Sequence, residues 1–199
     1  MTSTKFPTDR AGWQRVLETE FDLAARRLTA PDTELLPVFN IYADNNERHV
    51  FFVPIDTDKA EAEAYFLLAA AGVALRARGA THIAEAWART VIQRTGETEA
   101  EVERRILEIQ PRDAEDRREV VVATAVWRDK QWRPRILIGQ REILRDIAGA
   151  PSLGPAAWST TSEAPLCAVI PPRHVPPHVE IAAKQIFGKL QDAKLPQKH

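Results

Sequence analysis

Apolar residues recur every three or four positions near the start of the chain. The series consists of Trp13, Val16, Leu17, Phe21, Ala24 and Leu28. This spacing places the series on one face of a helix, and we expect that face to be buried. Thr8 or Asp9 can cap the start of the helix, and Pro31-Asp32 is expected to end it.

Two runs rich in β-branched and aromatic residues follow this helix. They are Leu36–Tyr42 and His49–Pro54, and the polar segment Asp44–Glu47 separates them. Such runs on either side of a polar turn are typical of a β-hairpin. The sequence therefore predicts a first pair of antiparallel strands directly after the first helix.

A second helix is predicted from Asp58 to Arg78, with Asp56 or Thr57 as its N-cap. Its apolar face is formed by Ala64, Leu67, Leu68, Ala71 and Leu75. Gly79 stands where a glycine often ends a helix, at the position after the C-cap. This predicted helix end favours a strand that spans Ala80–Ala88, although the alanine content of that segment would by itself favour a helix.

The pattern Thr98-Glu99-Ala100-Glu101 is typical of a capping box at the start of a helix. It predicts a short helix through Val102, Ile106 and Ile109, which Pro111 would end. The segment from 90 to 110 is also compatible with a strand extension or with a disordered insertion.

A second hairpin is predicted from Glu119–Trp127 and Trp132–Ile138, which residues 128–131 join. The predicted helices and strands do not alternate as repeated βαβ units, so a parallel sheet is disfavoured. The predicted fold is therefore α+β, with a mostly antiparallel sheet of two hairpins plus a further strand. We expect the helices to pack on one face of this sheet.

Prolines accumulate after Gly149 and favour extended backbone. They are Pro151, Pro155, Pro165, Pro171, Pro172, Pro176 and Pro177. A terminal helix is predicted from His178 to Leu190. We therefore expect a single α+β domain over residues 1–150. Residues 151–199 are expected to form a proline-rich arm with a terminal helix, which packs on that domain or on a partner subunit.

The composition narrows the function classes. The chain has 27 Lys and Arg against 28 Asp and Glu, so its net charge of −1 gives no overall field that would attract nucleic acid. Cys167 is the only cysteine, which excludes an internal disulfide and a cysteine-rich zinc site. The first residues contain no apolar signal segment, and no run of apolar residues is long enough to span a bilayer. We expect a cytoplasmic protein without membrane partners.

Acidic residues cluster near the predicted strand ends. Glu85, Asp116 and Glu119 could hold Mg²⁺ or Mn²⁺, which would make the protein a metal-dependent phosphodiesterase or nuclease. A metal set of His82, Glu85 and Glu119 is an alternative, but a three-residue spacing on a strand puts His82 and Glu85 on opposite faces. The competing interpretation is structural, because neighbouring arginines such as Arg117 can pair with these acids.

Tryptophans and arginines alternate on the predicted second hairpin. Trp127, Trp132 and Arg133 could form a stacking surface for single-stranded nucleic acid. The competing interpretation is that the tryptophans fill the core, and acidic neighbours disfavour phosphate. The sequence has no glycine-rich phosphate loop and no Gly-x-Ser-x-Gly motif, so no cofactor is predicted and a catalytic role is disfavoured.

One arrangement of motifs resembles small uncharacterised proteins of bacteria and their phages. It is Glu85-Ala86-Trp87, then Pro111, then Asp116-Arg117-Arg118-Glu119-Val120 leading into a strand. The resemblance implies no settled activity. It implies a bacterial or phage host, and a structural unit in which Glu85 and Trp87 on one strand face Arg117 and Glu119 on the next.

The absence of a catalytic constellation favours a non-enzymatic protein that acts by binding a partner. The proline-rich arm and its terminal helix are the expected contact surface, because such an arm needs another surface to pack against. We expect a homodimer formed through this arm, and a further protein partner that the sequence does not identify.

Overall fold

The computed structural model describes residues 6–28, 35–52, 58–88, 95–108 and 113–194. Four α-helices and seven strands occur in this part of the chain. In chain order they are α1 (Arg10–Arg27), β1 (Val38–Tyr42), β2 (Arg48–Phe52), α2 (Asp58–Ala74), β3 (Gly79–Ala88), α3 (Glu99–Glu108), β4 (Arg118–Arg128), β5 (Pro134–Arg145), β6 (Pro151–Leu153), β7 (Ala157–Ser159) and α4 (Pro177–Lys194). A short 3-10 helix, Pro165–Val169, precedes α4.

All strands belong to one antiparallel sheet, in the order β2-β1-β3-β4-β5-β6. β3 and β4 form a long central pair, in which Gly79 lies opposite Trp127 and Ala88 lies opposite Arg118. The outer edge of β5 pairs with β6 over Ile143–Arg145 and with β7 over Ile138–Gln140. The predicted α+β fold with a mostly antiparallel sheet is confirmed, and so are both predicted hairpins.

Helices cover both faces of this sheet, which corrects the expectation that they pack on one face. Trp13, Leu17 and Phe21 of α1 form one buried cluster with Val121 and Ala125 of β4. A second buried cluster on the opposite face joins α2 and the 3-10 helix to the strands through Leu68, Ala71, Phe39, Ile41, Val126, Leu166 and Val169. The physical reason is that β1 and β4 carry apolar side chains on both faces, and each face must be covered.

The predicted starts of two helices are confirmed. The Asp9 side chain accepts a hydrogen bond of 2.7 Å from the backbone N of Gly12 at the start of α1. At the start of α3 the backbone N of Thr98 donates to Glu101 Oε2, and the backbone N of Glu101 donates to Thr98 Oγ1. The proposed stops at Pro31-Asp32 and Pro111, the caps Asp56 and Thr57, and the strand end at Pro54 lie outside the described residues.

The end of α2 differs from the prediction. The helix ends at Ala74, and Arg76 rather than a glycine takes the left-handed conformation, with φ of 51°. Gly79 is instead the first residue of β3, where the Trp13 ring of α1 lies so close that a Cβ would overlap it. This glycine is therefore explained by close packing of helix on sheet, and the predicted strand that follows it is confirmed.

The proline-rich segment contributes to the sheet and to the core. β6 and β7 extend the sheet beyond β5, and Leu166, Val169 and Ile170 are buried. α4 packs on α2, with Phe187 near Phe51 at a ring distance of 6.5 Å. These contacts support packing of the arm on its own domain. Among the described helices, none combines the length and the apolar character needed to cross a membrane.

Candidate functional site

Two glutamates meet where β3 ends and β4 begins. Glu85 and Glu119 lie on the same face of the sheet, because Glu85 is opposite Val121 and Glu119 is opposite Trp87. Arg145 donates to Glu119 Oε2 through Nε at 3.1 Å and through Nη2 at 2.7 Å. The backbone N of Leu35 donates to Glu85 Oε2 at 3.0 Å. The two carboxyl groups are therefore held from opposite sides.

The pKa values of the two carboxyl groups shift in opposite directions. Burial and a hydrogen bond to Glu119 raise the pKa of Glu85 above its ordinary value. Burial alone would raise the pKa of Glu119 too, but hydrogen bonds from Glu85 and Arg145 outweigh it and lower that pKa. Of the two groups, Glu85 therefore holds a proton to higher pH, and Glu119 stays ionised to lower pH beside Arg145.

The Glu85 and Glu119 pair belongs to a small unit that also includes Trp87 and Arg117. The Trp87 ring is 44% exposed, and the Arg117 guanidinium carbon lies 5.1 Å from its centre, a cation-π arrangement. The structure therefore brings together the four residues Glu85, Trp87, Arg117 and Glu119. Asp116 is exposed on the loop before β4.

His82 lies away from this pair, on the opposite face of β3. Its ring stacks on Phe39 with a centre-to-centre distance of 4.1 Å and an angle of 3°. Burial lowers the pKa of His82 to about 4, so its ring is neutral near neutral pH. His82, Glu85 and Glu119 therefore do not converge. Within the described ranges, no group of three or more histidine, cysteine, aspartate and glutamate side chains is placed to hold a metal ion.

Trp127, Trp132 and Arg133 are not equivalent in the fold. Trp127 is buried and stacks on Trp13 at 5.8 Å, so its ring is unavailable to a nucleic acid base. Trp132 is half-buried in the β4–β5 turn, with the Arg78 guanidinium 5.2 Å from its ring centre. Arg133 pairs with Asp129 at 3.2 Å. Of the two tryptophans, only Trp132 reaches the surface.

Three adjoining clefts lie at the end of the sheet opposite to the glutamate pair, and Trp132 lines the second of them, the Trp132 cleft. Their volumes are about 660, 400 and 800 Å³. Thr8 and Asp9 line both the first and the third cleft, and Asp44 and Arg78 line both the second and the third. Together they are lined by eight arginines, which we call the arginine end: Arg10, Arg15, Arg76, Arg78, Arg128, Arg133, Arg135 and Arg173.

Sequence reasoning missed the arginine end because its members come from α1, the α2–β3 turn, the β4–β5 hairpin and the arm. They are spread over more than 160 positions, and no short motif links them. The antiparallel register brings these turns to one end of the sheet. The available signal was limited to Arg128 in the predicted turn of the second hairpin and Arg78 at the predicted end of the second helix.

A buried polar network was also missed. Glu20 of α1 is only 4% exposed, and its Oε1 accepts a hydrogen bond from Asn40 Nδ2 at 3.3 Å and pairs with Arg48 at 3.2 Å. Asn40 also donates to Thr81 Oγ1 at 2.9 Å and accepts from Arg48 Nε at 2.9 Å. Burial and the nearby Glu20 raise the pKa of Tyr42 to about 12, so its phenol stays protonated.

A signal for this network was present in the sequence. Glu20 falls seven residues after Trp13 and three after Leu17, within the apolar face of the first helix. Asn40 alternates with Val38 and Tyr42 on one face of β1. A charged or amide residue at a core position indicates a buried partner, since an unpaired polar group there is costly.

No known protein family, curated protein or solved structure matches the chain. The resemblance to small bacterial and phage proteins stays a prediction, and the functional argument rests on the geometry of the chain itself.

We expect Glu85→Gln to stabilise the protein at about pH 8 and to change its stability little at about pH 5. The folded-state pKa of Glu85 is raised, so its favourable contribution is present at low pH and is lost as pH rises through that pKa. Glutamine mimics the protonated form and removes this loss. Thermal unfolding followed by circular dichroism across this pH range measures the difference.

Glu119→Gln is the matched comparison for Glu85→Gln. The folded-state pKa of Glu119 is lowered, so its contribution is present at neutral pH and is lost as pH falls through that pKa. This variant should be less stable than wild type at neutral pH, because Arg145 loses its ion pair. Equal pH profiles for the two variants would contradict the opposite pKa shifts of Glu85 and Glu119.

Proposed function

We propose that the protein is a non-enzymatic binding protein whose arginine end docks on the acidic surface of a protein partner. The observation that carries this proposal is charge. Among the described residues, the three adjoining clefts are lined by eight arginines and by four acids, Asp9, Asp44, Asp129 and Glu180. The chain as a whole is nearly neutral, so this surplus is local.

The acids at this end do not cancel the arginines. Asp129 is shared between Arg133 and Arg135, and Glu180 is shared between Arg76 and Lys184. Each shared acid leaves one positive charge in excess, and exposed pairs of this kind contribute little to stability. Converging positive charges repel one another, and an acidic partner relieves that repulsion.

Other arginines at this end are available to a partner. Arg15 and Arg173 are exposed and make no ion pair with any described residue. Arg78 lies over the half-buried ring of Trp132. Tryptophan and arginine are the residues that most often contribute strongly to protein interfaces. The Trp132 cleft is therefore the proposed centre of the contact.

A protein partner is favoured over a nucleic acid by the mixture of charges. A nucleic acid presents a continuous row of phosphates, which the four acids of these clefts would repel. Binding of single strands also relies on successive exposed rings, and Trp127 is buried against Trp13. A protein surface can place basic groups opposite these acids and acidic groups opposite the arginines.

The proposal is tested by fluorescence anisotropy with three labelled probes. The probes are a peptide of glutamate and leucine, a peptide of lysine and leucine, and an oligothymidine. We expect saturable binding of the acidic peptide that weakens as salt rises, because the contact is electrostatic. We expect the double variant Arg15→Glu/Arg173→Glu to bind this peptide at least about tenfold more weakly.

The matched control is the double variant Arg26→Glu/Arg104→Glu, which replaces two exposed arginines that line none of the three clefts. This variant changes charge in the same direction, and we expect it to bind the acidic peptide as wild type does. Equal losses in both variants would show that net charge alone is measured and would overturn the proposal. Preferential binding of oligothymidine would assign the arginine end to nucleic acid instead.

The other functions expected from the sequence stay predictions. A homodimer through the arm has support in the exposed side chains of Val179 and Ile181 on α4. A phosphodiesterase built on Glu85, Asp116 and Glu119 has support in the two neighbouring carboxyl groups of Glu85 and Glu119, whose pKa values shift in opposite directions.

A further inference from the structure

A cavity of about 300 Å³ lies between the second half of α1 and the strands β2, β1 and β3. It is separate from the arginine end and from the glutamate pair. Most of its lining is apolar: Leu23, Leu35, Val38, Val50, Phe52 and Ile83. Its volume is at the lower limit of small-molecule sites in proteins. A single ring or a short alkyl chain matches this volume.

Three charged side chains converge on this cavity. Glu20, Arg27 and Arg48 line it. Glu20 is 4% exposed, and every contact that it makes with described residues goes to Oε1. The second carboxyl oxygen, Oε2, therefore takes no part in the hydrogen bonds of the buried network. Because Glu20 lines the cavity, this oxygen can interact with a ligand there.

Arg27 is the second positive charge that lines this cavity. Its guanidinium carbon lies 5.7 Å from the centre of the Phe52 ring, and it makes no ion pair with any described residue. Arg48 is already paired with Glu20 at 3.2 Å. Two cations against one acid leave a positive surplus beside an apolar surface. This combination matches an apolar molecule that ends in an anionic group.

We infer that this cavity binds a small apolar carboxylate, with its carboxylate at Arg27 and Arg48 and its apolar body against Val50, Phe52 and Leu35. When Glu20 is protonated it has no negative charge, so it does not repel the carboxylate of such a ligand. Burial raises its pKa, while Arg48, Tyr42, Arg27 and Asn40 act in the opposite direction. A bound anion favours the protonated form further, and Oε2 can then donate to the ligand's carboxylate.

The test uses three molecules with the same alkyl chain and different head groups: octanoate, octanol and octylamine. Binding to the full chain is measured by isothermal titration calorimetry at neutral pH. We expect octanoate to bind saturably, octanol to bind at least about tenfold more weakly, and octylamine not to bind. Equal affinity for all three would show a merely apolar surface and would overturn the inference, as would no binding of octanoate.

Three variants on α1 distinguish a loss of charge at the cavity from a general effect on the helix. Arg27→Gln is expected to weaken octanoate binding by about tenfold. Arg26→Gln removes the neighbouring exposed arginine, which does not line the cavity, and is expected to bind octanoate as wild type does. Glu20→Gln keeps an oxygen for the buried network and removes a negative charge, so it should bind octanoate more tightly. Weaker binding in Glu20→Gln would contradict the assigned position of the carboxylate.

A further pair of variants tests the location of the site. Val50 is 40% exposed and lines the cavity, and Val179 on α4 is 39% exposed and lies outside it. Val50→Trp is expected to fill the entrance and abolish octanoate binding. Val179→Trp adds the same ring elsewhere on the surface and should leave binding unchanged. Retained binding in Val50→Trp would place octanoate outside this cavity and overturn the inference.

Discussion

Replacement of Gly72 by alanine is expected to lower the free energy of unfolding by about 3 kcal/mol. Gly72 lies in α2 where the helix crosses the 3-10 helix, and an added Cβ would overlap the carbonyl oxygen of Val169. That oxygen belongs to backbone, so it cannot move aside as a flexible side chain would. The variant must therefore separate α2 from Leu166, Val169 and Ile170, which are buried on this face of the sheet. Urea unfolding followed by circular dichroism measures the loss.

Gly188→Ala is the matched control for this substitution. Gly188 lies within α4, and a Cβ built there meets no atom within 4 Å. Alanine is the better helix former, so this variant should be more stable than wild type by about 0.5–1 kcal/mol. A loss of under about 1 kcal/mol in Gly72→Ala would show that the 3-10 helix is not held closely against α2 in solution.

Replacement of Asn40 by leucine is expected to destabilise the protein by roughly 3 kcal/mol. Asn40 is fully buried and connects Glu20, Thr81 and Arg48 through three hydrogen bonds. Leucine has a similar size but neither donates nor accepts, so the partners of Asn40 remain buried without it. The same urea unfolding experiment measures this loss.

Thr81→Val provides the comparison on β3. It removes one hydroxyl from the same network and keeps the shape of the side chain, so we expect a loss of about 1 kcal/mol. The structure thus predicts a clear order, with Asn40→Leu the more damaging of the two. Equal losses would indicate that Asn40 contributes only its bond to Thr81 and that the Glu20 contacts are weak.

Local patterns predicted most secondary structure elements correctly. The spacing of Trp13, Leu17 and Phe21 predicted α1, and the run of β-branched and aromatic residues predicted β1 and β2. These elements are determined by short-range periodicity and by turn chemistry, both of which are visible in one sequence. The end of α2 was not predicted correctly, because Gly79 is a glycine for a tertiary reason, its contact with the Trp13 ring.

The arrangement of helices on the sheet and the functional surfaces depended on long-range contacts. Helices cover both faces of a sheet when the side chains on both faces of its strands are apolar. The alanines of β4 did not indicate which face of the sheet a helix would cover. The arginine end and the Glu20 cavity each combine residues that are far apart in the sequence. By contrast, Glu85 and Glu119 were singled out correctly as neighbours, because both stand next to predicted strand ends.

The segment between β3 and β4 can change in length without disturbing the sheet. Ala88 and Arg118 lie opposite each other in the central strand pair, so the intervening residues, including α3, leave the sheet and return to the same place. The free-energy cost of closing a loop, which is entropic, rises by only about 0.6 kcal/mol for each doubling of the loop's length. Exchanging this segment for a short hairpin turn would therefore alter the free energy of closure by only about 2 kcal/mol. Selection can lengthen, shorten or exchange α3 at small thermodynamic cost, while the strands on either side keep their register.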